Sequence, residues 1–378
     1  MSGSTPSLVC RELRLRQFRN FEELALAIPS AGVAVIGPNG AGKTNLVEAV
    51  YYLEVFRSFR GASDEQLVRF GADTFFVHGT FEDPATGESR EITAAYERST
   101  RRKRVTVSGT EPDRIGDALG RIGVVVFSPS DVALVAGAPG ERRRFLDIVL
   151  SLNRPGYLTA LQRYRQVLRQ RNALLRDGAR PAALEPWTGS LVEVGARVVA
   201  ERAAWVSEYA GAFIERYAAI GDGGARMVYR PSTGRGEAPS GAEAAESVFR
   251  EELERVSSRE RERGMTLVGP HRDDLGFIRD RDGVDLRDFG SGGQQRTAAI
   301  ALRMVEAETI RRARKRSPLT LLDDVFAELD PERSRRVLAL MDEDEGGQVI
   351  LTAPKASDVD PRRGALTRWS IADGVVRP

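Results

Sequence analysis

Three groups of residues in this chain have types and spacings suited to chemistry on a phosphate. The first is Gly37-Pro38-Asn39-Gly40-Ala41-Gly42-Lys43-Thr44, a complete G-x-x-x-x-G-K-T loop. Its glycines let the backbone curl so that successive N–H groups converge on a β-phosphate. Lys43 is then set to bridge β- and γ-phosphates, and Thr44 to offer its hydroxyl to Mg²⁺. The second group is the apolar run Leu319-Thr320-Leu321-Leu322, which ends in Asp323-Asp324. Asp323 is placed to hold Mg²⁺, directly or through water, and Asp324 to orient or deprotonate an attacking water. Two such carboxylates at a buried strand end repel each other unless a cation is present. The third group, Ser291-Gly292-Gly293-Gln294-Gln295-Arg296, opens the helical pattern of residues 297–306. A serine with two glycines at a helix start is another anion-binding terminus. One nucleotide cannot use both cradles of one chain, so the second is expected to serve a nucleotide held by a partner subunit.

These residues need a frame. Leu24–Ile28 and Gly32–Ile36 read as short strands, the second running into the glycine loop, and residues 45–53 continue as a helix. Strand, loop and helix in that order are the context a phosphate loop requires. Leu319–Leu322 has no polar alternation, as expected of a central parallel strand covered on both faces. Lys43 and Asp323 lie 280 positions apart, too far for a compact nucleotide domain without an insertion. Between them, Leu158, Leu161, Val167 and Leu174 recur at helical spacing, as do Leu184, Leu191, Val198, Trp205 and Phe213. A turn at 177–181 separates the two stripes, so an antiparallel helical arm is expected, each helix roughly 25–35 residues and ~40–50 Å long. Residues 221–241 read as a mobile loop, Ala242 to about Arg263 as a charged helix, and 73–107 as an antiparallel β subdomain.

Size and composition agree with such a machine. The 378 residues suffice for two domains, and 41% apolar with 29% charged residues is ordinary for a soluble globular protein. No stretch approaches the ~18–20 apolar residues of a membrane span, and the N-terminus lacks the pattern of a secretory signal. The single cysteine, Cys10, excludes an internal disulfide or a cysteine metal cluster, so a cytoplasmic location, with no membrane partner, is expected. Net charge is only +2, yet just four of the 56 cationic residues are lysine. Arginine clusters at 101–104, 142–144 and 311–316 suit bidentate phosphate binding. They fit equally a general arginine bias on solvated faces.

The order of phosphate loop, Ser-Gly-Gly-Gln and acidic strand end resembles the ATP-binding-cassette ATPases. Further strings narrow the resemblance to the RecF recombination-mediator family: Leu15-Arg16-Gln17-Phe18-Arg19-Asn20-Phe21, Phe127-Ser128-Pro129-Ser130-Asp131, Gly140-Glu141-Arg142-Arg143-Arg144-Phe145-Leu146-Asp147 and Gly269-Pro270-His271-Arg272-Asp273-Asp274-Leu275. The resemblance runs from about residue 9 to the end. It implies an α/β fold: an ABC-type P-loop ATPase head of two lobes and mixed sheet, formed by 1–130 and 266–378, with an α-helical arm inserted at 131–265. It implies ATP and Mg²⁺ as cofactors. Ser291, Gly292, Gly293 and Gln294 are implied to meet the γ-phosphate held by the other protomer, and Glu328-Leu329-Asp330 resembles the loop lining the dimer interface.

The nucleotide itself is implied to be bordered by Gly37 to Thr44, by Asn45, by Arg19 and Asn20, and by an arginine after the P-loop helix, Arg60 or else Arg57. The catalytic set is Lys43, Asp324 and Thr352, the last standing where transporter cassettes carry a switch histidine. An aspartate at 324, where most cassettes carry the longer glutamate, points to slow hydrolysis that times rather than drives. The resemblance further implies a nucleoid-associated protein of recombinational and replication-gap repair and the SOS response. It would form an ATP-dependent homodimer that clamps double-stranded DNA at gaps or single-strand/double-strand junctions. Its weak ATPase would be stimulated by DNA, and it would help recombination mediator proteins to load the strand-exchange recombinase. An SMC-like chromosome-structuring ATPase and an ABC transporter ATPase subunit are the competing readings. The arm is short for the first, and the length of the insertion and the missing histidine count against the second. His271 is read as structural or as a nucleotide switch rather than a metal ligand, and His78 as a packed or surface residue.

Overall fold

Six short segments pair side by side, and the four richest in Val, Ile and Leu would be insoluble unless covered on both faces. In a computed structural model, which describes residues 8–221, 223–234, 239–343, 347–359 and 366–377, all six form one sheet. Its order is Val375–Arg377, Thr367–Ala372, Gly32–Ile36, Val349–Ala353, Leu319–Asp323 and Val124–Phe127. All neighbours are parallel except the C-terminal hairpin at the edge. Val33, Val35, Leu321, Leu322, Ile350, Leu351 and Val125 are essentially inaccessible, as the uninterrupted apolar runs require. The expected strand at 319–322 extends one residue further, to Asp323.

A second, antiparallel sheet is ordered Phe21–Ala27, Val9–Phe18, Thr74–Glu82, Ser89–Glu97 and Arg102–Val107. Its third strand runs on through His78, which stacks on Phe76. Phe18 and Phe21 face each other across the first hairpin, both fully buried. At about 25 cal/mol per Å² of apolar surface, those two rings fix where the hairpin tip, Arg19-Asn20, must sit. Both sheets belong to one compact unit, residues 1–131 with 306–378.

The second unit, residues 132–305, is mostly helical: Pro139–Asn153, Tyr157–Arg176, Pro181–Ile220 and Ala242–Arg263. The two helices anticipated from the leucine stripes are unequal, 20 and 40 residues long. The reading of 221–241 as a mobile loop is overturned in part: Ala225–Arg230 is a strand, antiparallel to Asp274–Arg279. Ala225, Met227 and Tyr229 alternate inward along it. Residues 235–238 lie outside the described residues. This pairing ties the 266–280 stretch, expected with the ATPase head, to the helical unit; the units divide within the helix Gly292–Arg314 instead. Among the described residues, no helix is long and apolar enough to cross a membrane.

Candidate nucleotide-binding site

Strand register assembles the site. Asp323 pairs with Thr352, Thr352 with Val35, and Ala353 with Ile36. Three neighbouring parallel strands therefore end at one level, the carboxyl edge where α/β sheets place ligands. From there the Gly37 N–H donates to the Ala353 carbonyl (3.2 Å) and the chain turns into the phosphate loop. Gly42 ends the loop with φ +112, and a Cβ there would lie 2.5 Å from the Asn20 amide. Only glycine can occupy that position. The helix Lys43–Val55 begins immediately afterwards, its first-turn amides directed into the loop.

The chemistry-bearing side chains meet within hydrogen-bond range. The Thr44 hydroxyl donates to Asp323 Oδ1 at 2.9 Å, and the Thr352 hydroxyl donates to the same oxygen at 3.0 Å while accepting from the Asp324 N–H at 3.1 Å. Lys43 Nζ donates to the carbonyls of Gly37 (2.9 Å) and Pro38 (3.2 Å) and lies 3.5 Å from Asp324 Oδ2. Asp323 is 3% exposed. Burial pushes its carboxyl up to about 6, against the opposing pull of the Thr44 and Thr352 hydroxyls; neighbouring Asp324 raises it further and Arg60 lowers it. Asp324 itself adopts a left-handed backbone, φ +47, which turns its carboxylate out of the strand.

The hairpin tip supplies the loop's outer support. Asn20 Nδ2 donates to the Ala41 carbonyl (3.1 Å) and its Oδ1 accepts from Asn45 Nδ2 (2.8 Å). Arg60 donates to Asn45 Oδ1 at 3.3 Å, so Asn20, Asn45 and Arg60 form one chain along the loop. Arg19 instead forks onto Glu48 (2.8 and 3.0 Å), a fully buried carboxylate that also accepts from the Ser58 hydroxyl. Glu48 and Ser58 were not singled out in the sequence, where an acid on an otherwise apolar helix face was their one visible sign. Arg57 is exposed, one residue before Ser58.

In the helical unit, Ser291 and Gln294 cap their own helix reciprocally: the Ser291 N–H donates to Gln294 Oε1 (3.0 Å) and the Gln294 N–H to Ser291 Oγ (3.2 Å). Arg279 steadies Gln294 at 3.2 Å. Ser291 and Gly292 are exposed, Gly292 has an ordinary negative φ, and a Cβ on it would meet nothing within 4 Å. Nothing among the described residues therefore demands glycine there. The Glu328 side chain of the expected interface loop lies outside the described residues.

Two further family strings, 140–147 and 269–275, supply buried ion pairs of the helical unit. Arg142, 2% exposed, forks onto Asp274 (2.7 and 3.0 Å). Arg202 bridges Asp147 (2.7 Å) and Asp273 (3.4 Å). His271 accepts from the Tyr164 hydroxyl at Nδ1 (2.6 Å) and donates from Nε2 to the Thr266 carbonyl (3.2 Å), an arrangement that suits the neutral ring. Burial lowers its pKa to about 4.

The family description "RecF/RecN/SMC N terminal domain" matches residues 9–362. The DNA replication and repair protein RecF of Salinibacter ruber is 38% identical over 95% of this chain and 88% of its own length. That of an Anaeromyxobacter species is 36% identical over 97% and 98%. A solved RecF–ATP structure superposes with a TM-score of 0.88 at 29% identity, covering 98% of this chain and 99% of that one. The Smc head domain of Pyrococcus furiosus, 16% identical with a TM-score of 0.56, shares the fold alone. With its phosphate loop, signature serine and acidic strand end on an SMC-type head, the chain belongs to the RecF family of DNA replication and repair ATPases.

Proposed function

We propose that this ATPase of DNA replication and repair closes as a homodimer around two ATP molecules. Closed, it holds duplex DNA beside a single-stranded gap; slow, DNA-stimulated hydrolysis reopens it, and partner mediator proteins use the complex to load the strand-exchange recombinase. Each nucleotide lies between the phosphate loop of one protomer and Ser291 to Gln294 of the other. The observation that carries this reading is Gly292, exposed, unstrained and open around its Cβ position: a glycine that its own fold does not need fits close approach of an outside group such as a γ-phosphate.

The residues present fit Mg²⁺. Adjacent ligands of an octahedron with ~2.1 Å bonds stand ~3.0 Å apart, and the Thr44 hydroxyl and Asp323 carboxylate oxygens stand 2.9 Å apart. Bound there, Mg²⁺ would neutralise phosphate charge. Lys43 adds its own cation, Asp324 orients water through a short carboxylate, and Thr352 holds both aspartates in register. Asn20, Asn45 and Arg60 border the nucleotide, while Arg19 acts through Glu48 to position the P-loop helix. DNA contacts are phosphate-directed and sequence-tolerant.

Sedimentation of wild type, Lys43→Met and Ser291→Arg with and without ATP, in parallel with binding to gapped duplex, tests the reading. Dimers are expected only for wild type with ATP, and DNA retention should track dimerisation. A wild type that binds ATP yet stays monomeric would remove the two-subunit site and leave Ser291 a helix cap. ATP turnover raised by membrane components rather than DNA would favour a transporter subunit instead.

A further inference from the structure

Within the helical unit, four segments enclose a pocket of about 220 Å³ that ATP turnover does not use. Helix Pro139–Asn153 contributes Arg143, Arg144 and Asp147, helix Tyr157–Arg176 contributes Tyr164 and Arg165, and helix Pro181–Ile220 contributes Arg202. The turn Pro270–Arg272 closes the floor with His271. At ~30 Å³ per water, the space equals roughly seven waters, enough for a phosphoryl group and part of its ester.

Four guanidinium groups line it against one carboxylate. That carboxylate, Asp147, already accepts from Tyr157 (2.7 Å), Arg165 (2.8 Å) and Arg202 (2.7 Å). Arg143 donates to the Asp273 carbonyl (2.8 Å) and forms no ion pair among the described residues. Burial and the nearby Arg202 charge lower its pKa, against the pull of Asp274, Asp273 and Asp147. Its Nη2 lies 3.9 Å from the Cβ position of Gly140. The guanidinium thus folds over the first turn of a 15-residue helix. The Tyr164–His271 floor is neutral, with the hydroxyl proton already given to the imidazole, so the arginines are the donors the pocket offers.

We infer that Arg143, Arg144 and Arg165 form a phosphoryl-binding site in the helical unit, separate from the P-loop, with Gly140 at its rim. Phosphate suits it better than a carboxylate because three oxygens can each meet an N–H of a separate guanidinium while up to two negative charges are neutralised. The phosphoryl group can come from free phosphate or from a nucleic-acid backbone. The inference does not rest on the dimer reading.

The P-loop also takes phosphate, so the test uses the full chain carrying Lys43→Met. Inorganic phosphate is titrated calorimetrically at low ionic strength, and a duplex oligonucleotide is titrated separately, before and after adding Arg143→Gln or the half-exposed Arg165→Gln. Melting curves identify any variant that fails to fold, and the other then gives the reading. We expect phosphate binding to weaken at least 10-fold in each folded variant, which identifies free phosphate as the source. Duplex binding that weakens 10-fold where inorganic phosphate does not bind supports the same site with a backbone phosphate as its ligand. Unchanged affinity for both ligands in folded variants would overturn the site.

Discussion

The nucleotide head and the helical unit both bury carboxylates at the ends of strands and helices, but they treat them oppositely. In the head, Asp323 is 3% exposed and is met by two hydroxyls, with Asp324 beside it. In the helical unit, Asp273 is inaccessible and is met by the Tyr229 hydroxyl, the Ser232 N–H (2.8 Å) and Arg202. Asp147 has two arginines and a tyrosine. A carboxylate given every donor it can use is a fastening. One left with neutral donors beside a second acid is held ready for a cation. The comparison separates motifs that sequence alone ranks together: Gly-Pro-His-Arg-Asp-Asp is as acidic as the strand end at 323–324, yet it is mortar.

The comparison breaks most visibly at Arg202. Replacing it by methionine, Arg202→Met, leaves Asp273 without its ion pair and Asp147 with only the half-exposed Arg165. A loss of about 3–5 kcal/mol is expected, as for other broken buried pairs, read as the urea midpoint of the full chain. A loss under ~1 kcal/mol would mean that the network is no more than surface-grade electrostatics.

How far these roles were legible follows from the distances involved. The phosphate loop and acidic strand were readable because each is contiguous and its strand–loop–helix frame is local. Arg202, Asp147 and Asp273 are scattered over 126 positions of sequence, and no periodicity predicts that two helices and a turn will bring them together. The strand Ala225–Arg230 was hidden by the glycines before it, although its alternation of Ala225, Met227 and Tyr229 was there to be read. Arg19 and Asn20 were flagged as a pair. Only the two-residue hairpin tip shows that one supports the helix through Glu48 and the other the loop backbone.

Acid should separate the two units next. The neutral His271, held near 4 by burial and by the Arg272 and Arg143 charges against Asp273, ionises near its ordinary 6.5 once unfolded. Its folded pKa is the lower one, so its stabilisation is complete above pH 6.5 and lost as pH falls towards 4. At ~1.4 kcal/mol per unit, the loss is at most ~3.5 kcal/mol. Urea unfolding at pH 7 and pH 4.5 should show that slope, and His271→Gln should flatten it. A slope unchanged by the substitution would assign the acid sensitivity to the carboxylates instead.

In the head, the expected effects fall on chemistry rather than stability. Asp324→Asn should cut single-turnover ATP hydrolysis on the order of 100-fold, the scale of losing one aligned catalytic group. The melting temperature should hardly move, because the Asp324 backbone contact to Thr352 survives. A melting shift as large as that of Arg202→Met would erase the contrast between the two kinds of carboxylate.

The smallest change sharpens the contrast furthest. Gly292→Ala adds one methyl to an exposed helix start where nothing lies within 4 Å and φ is ordinary. Alanine is the better helix former, so the isolated chain should keep or slightly gain stability, within ~0.5 kcal/mol. If a second protomer's phosphate must approach that backbone, the same methyl should still weaken ATP-dependent dimerisation, read by sedimentation at matched protein concentrations, while ATP affinity at the P-loop stays unchanged. Dimerisation as tight as wild type would leave the glycine without a purpose in either the monomer or the pair, and the open space around it would lose its force as evidence. A methyl that is silent in the fold and costly in the assembly would mark a residue whose role lies wholly outside its own chain.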